Sequence, residues 1–509
     1  MSDAELQKNW DVIVIGAGLG GLSCGAFLSK AGKRVLVLEK HSKVGGYAHH
    51  FTRKAGDDVK YHFDVALHVT GALDEGSSSR RILEEMGVWE RIRVKRLDVM
   101  YRSSFPDFEI TVPADKELFR QKLSDQFPDE RAAIDSLFSA VDAFAREVKD
   151  LIKNSVPGGP PPDDFAEKYP TLSKYMVASL HEFVSDHIKN EKVAAVFCQL
   201  WPYVGLPPKR VSAFLYMQMW LSFFTGGAYY IQGGGYALSR AIADVIEERG
   251  GKALTRTEVA RILVENGRCT GVETAKGEKF LAPIIVSNAP APLTFSKLLD
   301  ASMVDPVYLD QVQNMELSVS ITQAYIGVRG TPKEIGFEDA EYFINPDYDA
   351  EAGFDRMLSG DYSHGACVMA NNTIVNPEDT PPGRSIIEIA ILADGKRWCA
   401  MPKDEYRKHK AEITELLIDR FSEVIPDIRE RIEVIEVGTP HTMERYTGNP
   451  CGAVYGYAST PTSHSIFRPR PATPVPGLYL ASAWTFPGPG FGGVLAGGAN
   501  TAQIILRKM

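Results

Sequence analysis

The stretch Gly16-Ala17-Gly18-Leu19-Gly20-Gly21 places glycines where a backbone would have to fold around a pyrophosphate. Gly16 permits a tight turn, Gly18 lets the main chain approach phosphate oxygens, and Gly21 lets a helix close onto a strand. Leu19 and Gly20 open that helix, whose free N–H groups and partial positive charge favour a bound anion. Glu39 follows Gly18 by 21 residues, with Lys40 beside it. A carboxylate there can accept the hydroxyls of a ribose. The chemistry implied is the grip on a dinucleotide.

The pair Gly45-Gly46 lies six residues beyond Glu39. NAD dehydrogenases rarely continue in this way, whereas flavoproteins do, so the extension resembles FAD binding. A second stretch with the same spacing, Gly488-Pro489-Gly490-Phe491-Gly492-Gly493, is not followed by a strand and an acid. It reads as a loop leading into a last helix, about Val494 to Leu506. With Gly490, Gly492 and Gly493 close against a flavin ring, the helix N-terminus would favour negative charge there.

Several side chains could stand near such a ring. His49 and His50, followed by Phe51, come just after Gly45-Gly46, and a histidine there could relay a proton near neutral pH. Each could equally be a solvated or merely hydrogen-bonded ring. Tyr230 and Gln232 are candidates for the substrate side or for a turn and core. Trp484 would cap the ring or fill core, and Asp64 and His68 form a further candidate pair.

A charge desert gives the substrate clue. From Val193 to Ser239 only Lys209 and Arg210 are charged, and Val211–Phe224 is almost wholly apolar. Phe214, Met217, Leu221 and Phe224 share one helical face, and Trp220 lies on another. A helix apolar all round is buried or meets lipid. Fourteen residues rise only about 21 Å, too short to span a bilayer. Such a wall could line a tunnel for an apolar chain, dock on a membrane surface, or be plain core.

These residues need elements to hold them. Asp11–Ile15 and Arg34–Leu38 read as buried strands around a helix from Leu22 to Ala31, a βαβ unit. Residues 113–153 carry helical apolar spacing, as does Glu405–Phe421. Pro157–Pro162 is a connector. Strand-like runs fall at Lys252–Leu254, Val259–Glu265, Lys279–Ser287, Ile321–Val328 and Ile386–Leu392. The expected fold is α/β: a discontinuous Rossmann-type FAD-binding domain (1–75, 225–300 and 435–509) with an inserted α+β substrate domain (76–224 and 301–434).

The sequence resembles the phytoene desaturase, carotenoid isomerase and retinol saturase family of flavoproteins. Val12–Gly46 matches its FAD fingerprint, and Gly226–Gly234 its mid-chain aromatic–glycine segment. Glu258–Ile262 and Val286-Ser287-Asn288-Ala289 follow its order for the adenine-side sheet, and Gly477–Ala481 with Thr485–Gly488 its closing motif. The resemblance implies a Val259 backbone contact to adenine, Asn288 at the cofactor, and FAD-dependent desaturation, saturation or cis–trans isomerisation of carbon–carbon double bonds. The substrate would be a long apolar polyene, isoprenoid or lipid. The chain departs from the family at Ser482 and Ala66, where glycines are common. An amine-oxidase-like flavoenzyme oxidising C–N bonds and a non-catalytic flavin- or lipid-binding protein are the alternatives.

The net charge of −9 and the lack of a dense basic run argue against nucleic acid. Six scattered cysteines form neither a CxxC pattern nor a close redox pair, so no metal is expected and a reducing, cytoplasmic setting is the simplest reading. Val12–Ala31 imitates a signal peptide, but acidic residues before it and its glycine spacing argue against export. Peripheral membrane association is left open by the apolar segment, and the oligomeric state is unread.

Overall fold

The computed structural model describes residues 10–56, 58–154, 162–363 and 365–509. All but the last residue of the Pro157–Pro162 connector lies outside the described residues. Val12–Ile15 is a four-residue β-branched run, buried at every position, as expected for a strand covered on both faces. It is central in a five-stranded parallel sheet of order Lys252–Leu254, Val35–Leu38, Val12–Ile15, Ile284–Ser287, Leu478–Leu480. Val12 and Val14 join the core on one face, Ile13 and Ile15 that on the other. Strands from four distant stretches of chain thus build one nucleotide-type sheet.

That sheet positions the site. Gly16, Glu39, Asn288 and Ala481 each directly follow the carboxyl end of one of its strands, the edge where open parallel sheets hold ligands. The first helix, Leu19–Lys30, packs against the last, Phe491–Lys508. Ser23 Oγ donates to the Leu495 carbonyl at 2.7 Å, and Thr501 Oγ1 to Leu480 at 3.0 Å.

A seven-stranded sheet, in the order Ile432–Gly438, Ser320–Arg329, Arg384–Ala393, Cys367–Asn371, Glu341–Ile344, Val99–Ser104, Glu109–Pro113, has its own large core with the helices between residues 116 and 224. It is antiparallel except where Glu341–Ile344 runs parallel to Val99–Ser104. The strand Ile432–Gly438 runs across the boundary expected at residue 435. A three-stranded antiparallel sheet, Val259–Glu265, Arg268–Thr274 and Lys279–Leu281, flanks the parallel one.

Two expected elements divide. Lys279–Ser287 is two strands in different sheets, Lys279–Leu281 and Ile284–Ser287. Pro283 between them has no N–H for a ladder. Residues 113–153 contain the helices Lys116–Gln126 and Arg131–Asn154, interrupted at Pro128. The remaining expected elements lie within a few residues of their predicted ends.

Candidate functional site

The glycine turn has the shape its chemistry requires. Gly16 adopts φ +90°. A Cβ on Gly18 would fall 2.5 Å from Asn288 Nδ2, one on Gly20 2.4 Å from the Ala481 carbonyl oxygen, and one on Gly21 2.5 Å from the Gly16 carbonyl oxygen. No side chain caps the helix beginning at Leu19, and its first turn has no acid. The Asn288 carboxamide braces the turn, accepting from Gly21 N–H at 3.1 Å.

Glu39 is buried, with Oε2 accepting from Ala17 N–H and Oε1 from His41 N–H, both at 2.8 Å. Each oxygen retains a second acceptor position. The chain before Val259 lies alongside, since Thr257 N–H bonds the Glu39 carbonyl and Arg256 N–H the His41 carbonyl. Lys40 Nζ reaches the Arg445 carbonyl at 3.3 Å, and burial lowers its pKa. Gly45 adopts φ +122° and Gly46 +61°. Gly45 N–H bonds the Ala17 carbonyl at 2.7 Å, so the pair lies directly against the turn. An uncapped helix start, glycines with no space for a Cβ and a buried acid on the neighbouring strand suit the diphosphate and ribose of FAD.

The ring-side candidates fall into two groups. His49 Nδ1 lies 2.5 Å from the Gly46 carbonyl oxygen, and its ring meets His41 edge-on. The His50 ring packs on Tyr236 at 4.7 Å and faces a cavity of about 470 Å³ shared with Arg240 and Asp379. His50 and Tyr230 also border a narrower cleft beside Asp64 and Asn376. Burial lowers both His49 and His50 to a pKa of about 4. Desolvation is the leading cause at both rings, and at His50 it outweighs the opposing pull of the Asp379 carboxylate. Trp484 forms the second group. It is buried, donates from Nε1 to Asn449 Oδ1 at 3.1 Å and meets Tyr457 edge-on. Asn449 Nδ2 donates in turn to Tyr47 Oη at 3.3 Å, next to Gly46.

The glycines of the last helix separate in role. A Cβ on Gly492 would lie 2.9 Å from Ser79 Oγ and one on Gly493 2.9 Å from the Gly488 carbonyl oxygen, so both serve protein packing. Gly490, at φ +88°, faces open space.

The apolar helix, Ala213–Phe224, corrects the tunnel-wall expectation for most of its residues. Met217 and Trp220 have no exposed surface at all, so no water-sized space touches them. Trp220 packs among Phe224, Phe197, Phe119 and Phe138, with centroids 4.3 to 6.0 Å away. Phe214 and Phe224 are likewise buried, whereas Leu221 is half-exposed. Phe214, Met217, Trp220 and Phe224 belong to the core that the seven-stranded sheet shares with its helices.

Sequence reasoning missed a buried polar network. His68 Nδ1 pairs with Glu341 at 3.0 Å and Nε2 with Glu388 at 3.4 Å. Tyr203 Oη donates to Glu341 at 2.6 Å, while Gln323 and Asn372 donate to Glu388 at 2.6 and 2.7 Å. Burial would depress the His68 pKa, but the two carboxylates outweigh it and hold the imidazole protonated well above its usual range. Asp64 accepts from Ala66, Leu67 and Gly235 N–H, and burial raises it to about 6. The carboxylates at 341 and 388 look like ordinary strand residues in sequence. Only the sheet register sets them beside His68.

Fold and site together define a flavoenzyme. The chain matches the flavin containing amine oxidoreductase family over residues 19–506 and belongs to it. It is an FAD-dependent oxidoreductase. Among curated proteins it is similar to all-trans-retinol 13,14-reductase of Danio rerio, 26% identical over 99% of this chain and 87% of that protein. It is similar also to prolycopene isomerase 1 of an Oncidium hybrid cultivar, 24% identical over 99% and 86%. Its fold resembles a Methanosarcina mazei oxidoreductase, TM-score 0.63 at 18% identity, covering 98% of this chain and 100% of that one. No helix among the described residues is long and apolar enough to cross a membrane.

Proposed function

We propose that this enzyme saturates or isomerises carbon–carbon double bonds of a long apolar polyene. The observation that carries this reading is similarity over nearly the whole chain to both a retinol 13,14-reductase and a prolycopene isomerase. Desaturation is the same redox step in reverse. The solved amine oxidases share the fold at 13 to 16% identity, which does not extend to substrate.

The Gly16–Gly21 turn and the Leu19 helix start would hold the pyrophosphate, Glu39 a ribose, and the Val259 backbone the adenine. Bound FAD supplies hydride transfer at its N5. Tyr230, His49, His50 and Trp484 would surround the ring, with the neutral histidines orienting it through hydrogen bonds. His68 holds protons at Nδ1 and Nε2 at neutral pH. Tyr230 and Asp64 border the same cleft: burial keeps the Tyr230 phenol protonated well above its usual range and raises Asp64 to about 6, so Tyr230 would be the proton-holding group on the cleft. In this reading the parallel sheet carries the cofactor, and the seven-stranded sheet with its helices forms an inserted substrate-side domain.

Anaerobic incubation of the reduced and oxidised holoenzyme with retinoids, carotenoids, unsaturated fatty acids and amines tests this. A product heavier by two hydrogens identifies saturation, and an unchanged mass with shifted retention identifies isomerisation. Flavin bleaching by amines, with no change in any polyene, would overturn the proposal.

A further inference from the structure

Three separated segments meet on the far side of the Asn449 turn. The short helix Gly395–Cys399 ends on Cys399. The helix Pro440–Thr447 presents His441 and Glu444, three residues apart and so on one face. The turn Pro450–Gly452 packs against both helices, with Cys451 at φ +54°, a left-handed conformation that costs a non-glycine residue energy. One donor atom each from Cys399, His441 and Glu444 lies within 4.8 Å of the others. Cys399 Sγ is already 3.3 Å from Glu444 Oε2. Ligands of one tetrahedral ion with bonds of about 2.0–2.3 Å stand roughly 3.5 Å apart, so a small contraction closes the set.

The surroundings hold these groups in place. Glu444 Oε1 accepts from Cys451 N–H at 3.2 Å, which aims the carboxylate and bends the turn inwards. The Tyr406 ring meets His441 edge-on at 4.7 Å and limits its plane. All three ligating residues are partly exposed, so an ion can enter from solvent.

From this constellation we infer a zinc site: Cys399, His441 and Glu444 are the ligands, and water fills the fourth position of the tetrahedron. Thiolate, imidazole and carboxylate together select a borderline-soft divalent cation over magnesium or calcium, which take oxygen donors. Three protein ligands leave one position open to water. The ion would tie the two helices together, and the Glu444 bond to Cys451 N–H would couple it to the turn beside Asn449, which contacts Trp484 and Tyr47. Binding breaks the Cys399 S–H bond, forms an S–Zn bond and releases that proton to solvent, with no change of oxidation state.

The test uses the purified holoenzyme, stripped with a chelator under reducing conditions and dialysed against zinc chloride. We expect about one zinc per chain by elemental analysis, proton uptake by buffer on binding, and sulfur with nitrogen or oxygen neighbours in the zinc X-ray absorption spectrum. Cys399→Ser and His441→Ala should each weaken zinc binding more than tenfold, while the exposed His181→Ala should not. The X-ray absorption measurement on the unaltered protein decides the case if those variants fold poorly. Less than a tenth of an equivalent of zinc on the reduced protein, a shell without sulfur, or binding indifferent to both substitutions would overturn the inference.

Discussion

Gly498 in the last helix stands so close to Gly20 in the first that a Cβ on Gly498 would lie 2.3 Å from the Gly20 carbonyl oxygen. It would also lie 2.7 Å from Ser23 Cβ and 2.8 Å from Cys24 N. Two of these neighbours are backbone and cannot swing away, so Gly498→Ala must part the two helices. Overpacking of this kind costs about 1–3 kcal/mol, and here it also displaces the first turn that would hold the phosphates. The variant should melt lower and lose FAD more readily on dilution. Gly353→Ala, within the helix Ala350–Ser359 and with nothing nearer than 3.9 Å, should be neutral or stabilising by about 0.4–1 kcal/mol.

Glu39→Gln keeps the side-chain shape and one carbonyl acceptor but turns the other oxygen into a donor. Either Ala17 or His41 N–H then faces an NH₂ group. A buried donor left without its acceptor costs about 1–3 kcal/mol, and both N–H groups belong to the cofactor cradle. Titration of apoprotein with FAD, followed by flavin fluorescence, should give roughly tenfold weaker binding. Unchanged affinity would show that the carboxylate is dispensable to the cradle.

The core holds a histidine that should make stability fall in acid. His464 is fully buried, with Nε2 bonded to the Met176 carbonyl at 2.9 Å and its ring between Phe214 and Phe467. Burial lowers it from 6.5 to about 4. Between those values the unfolded chain binds the proton and the folded chain does not, so stability declines as pH falls through the window. The full contribution is about 3 kcal/mol at 1.36 kcal/mol per pH unit. His464→Gln should flatten the slope of denaturant stability between pH 6.5 and 4 relative to the unaltered protein, and change nothing in that slope above pH 7.

His68 is expected to be the costliest polar position. His68→Leu would leave Glu341 and Glu388 buried without their cation, a loss of about 3–5 kcal/mol. The pH dependence has the opposite sign from that of His464. Because the folded pKa is raised, the stabilisation is complete below about 6.5 and is lost only as pH rises through the elevated value. The deficit of the variant, measured in urea, should therefore shrink at alkaline pH.

The cofactor half of the molecule was legible because its constraints are local. The turn at residues 16–21, the acid at 39 and the pair at 45–46 follow one another along the chain, and each residue type has a steric or electrostatic reason visible without partners. The seven-stranded sheet was only partly legible, since its strands come from five stretches and its register sets Glu341 and Glu388 beside His68 across long separations. Cys399 and Glu444, 45 residues apart, likewise meet only through the packing of two short helices. Charge state was the least legible quantity: His49 and His50 look available for proton transfer until burial makes them neutral.

Trp220 separates the two meanings of an apolar helix. A residue lining a substrate passage should change KM when truncated, while a core residue should change stability and leave turnover per folded molecule alone. With no exposed surface and four phenylalanine neighbours, Trp220 belongs to the second kind. Trp220→Ala should cost about 3–5 kcal/mol by cavity formation. Trp220→Phe should be far milder, because the indole Nε1 it removes has no hydrogen-bond partner among the described residues, and deleting an unpaired buried donor offsets part of the lost packing. Both variants should retain the parent KM towards whichever polyene the enzyme accepts. A KM shifted tenfold in Trp220→Phe at unchanged stability would mean that the helix opens to admit substrate.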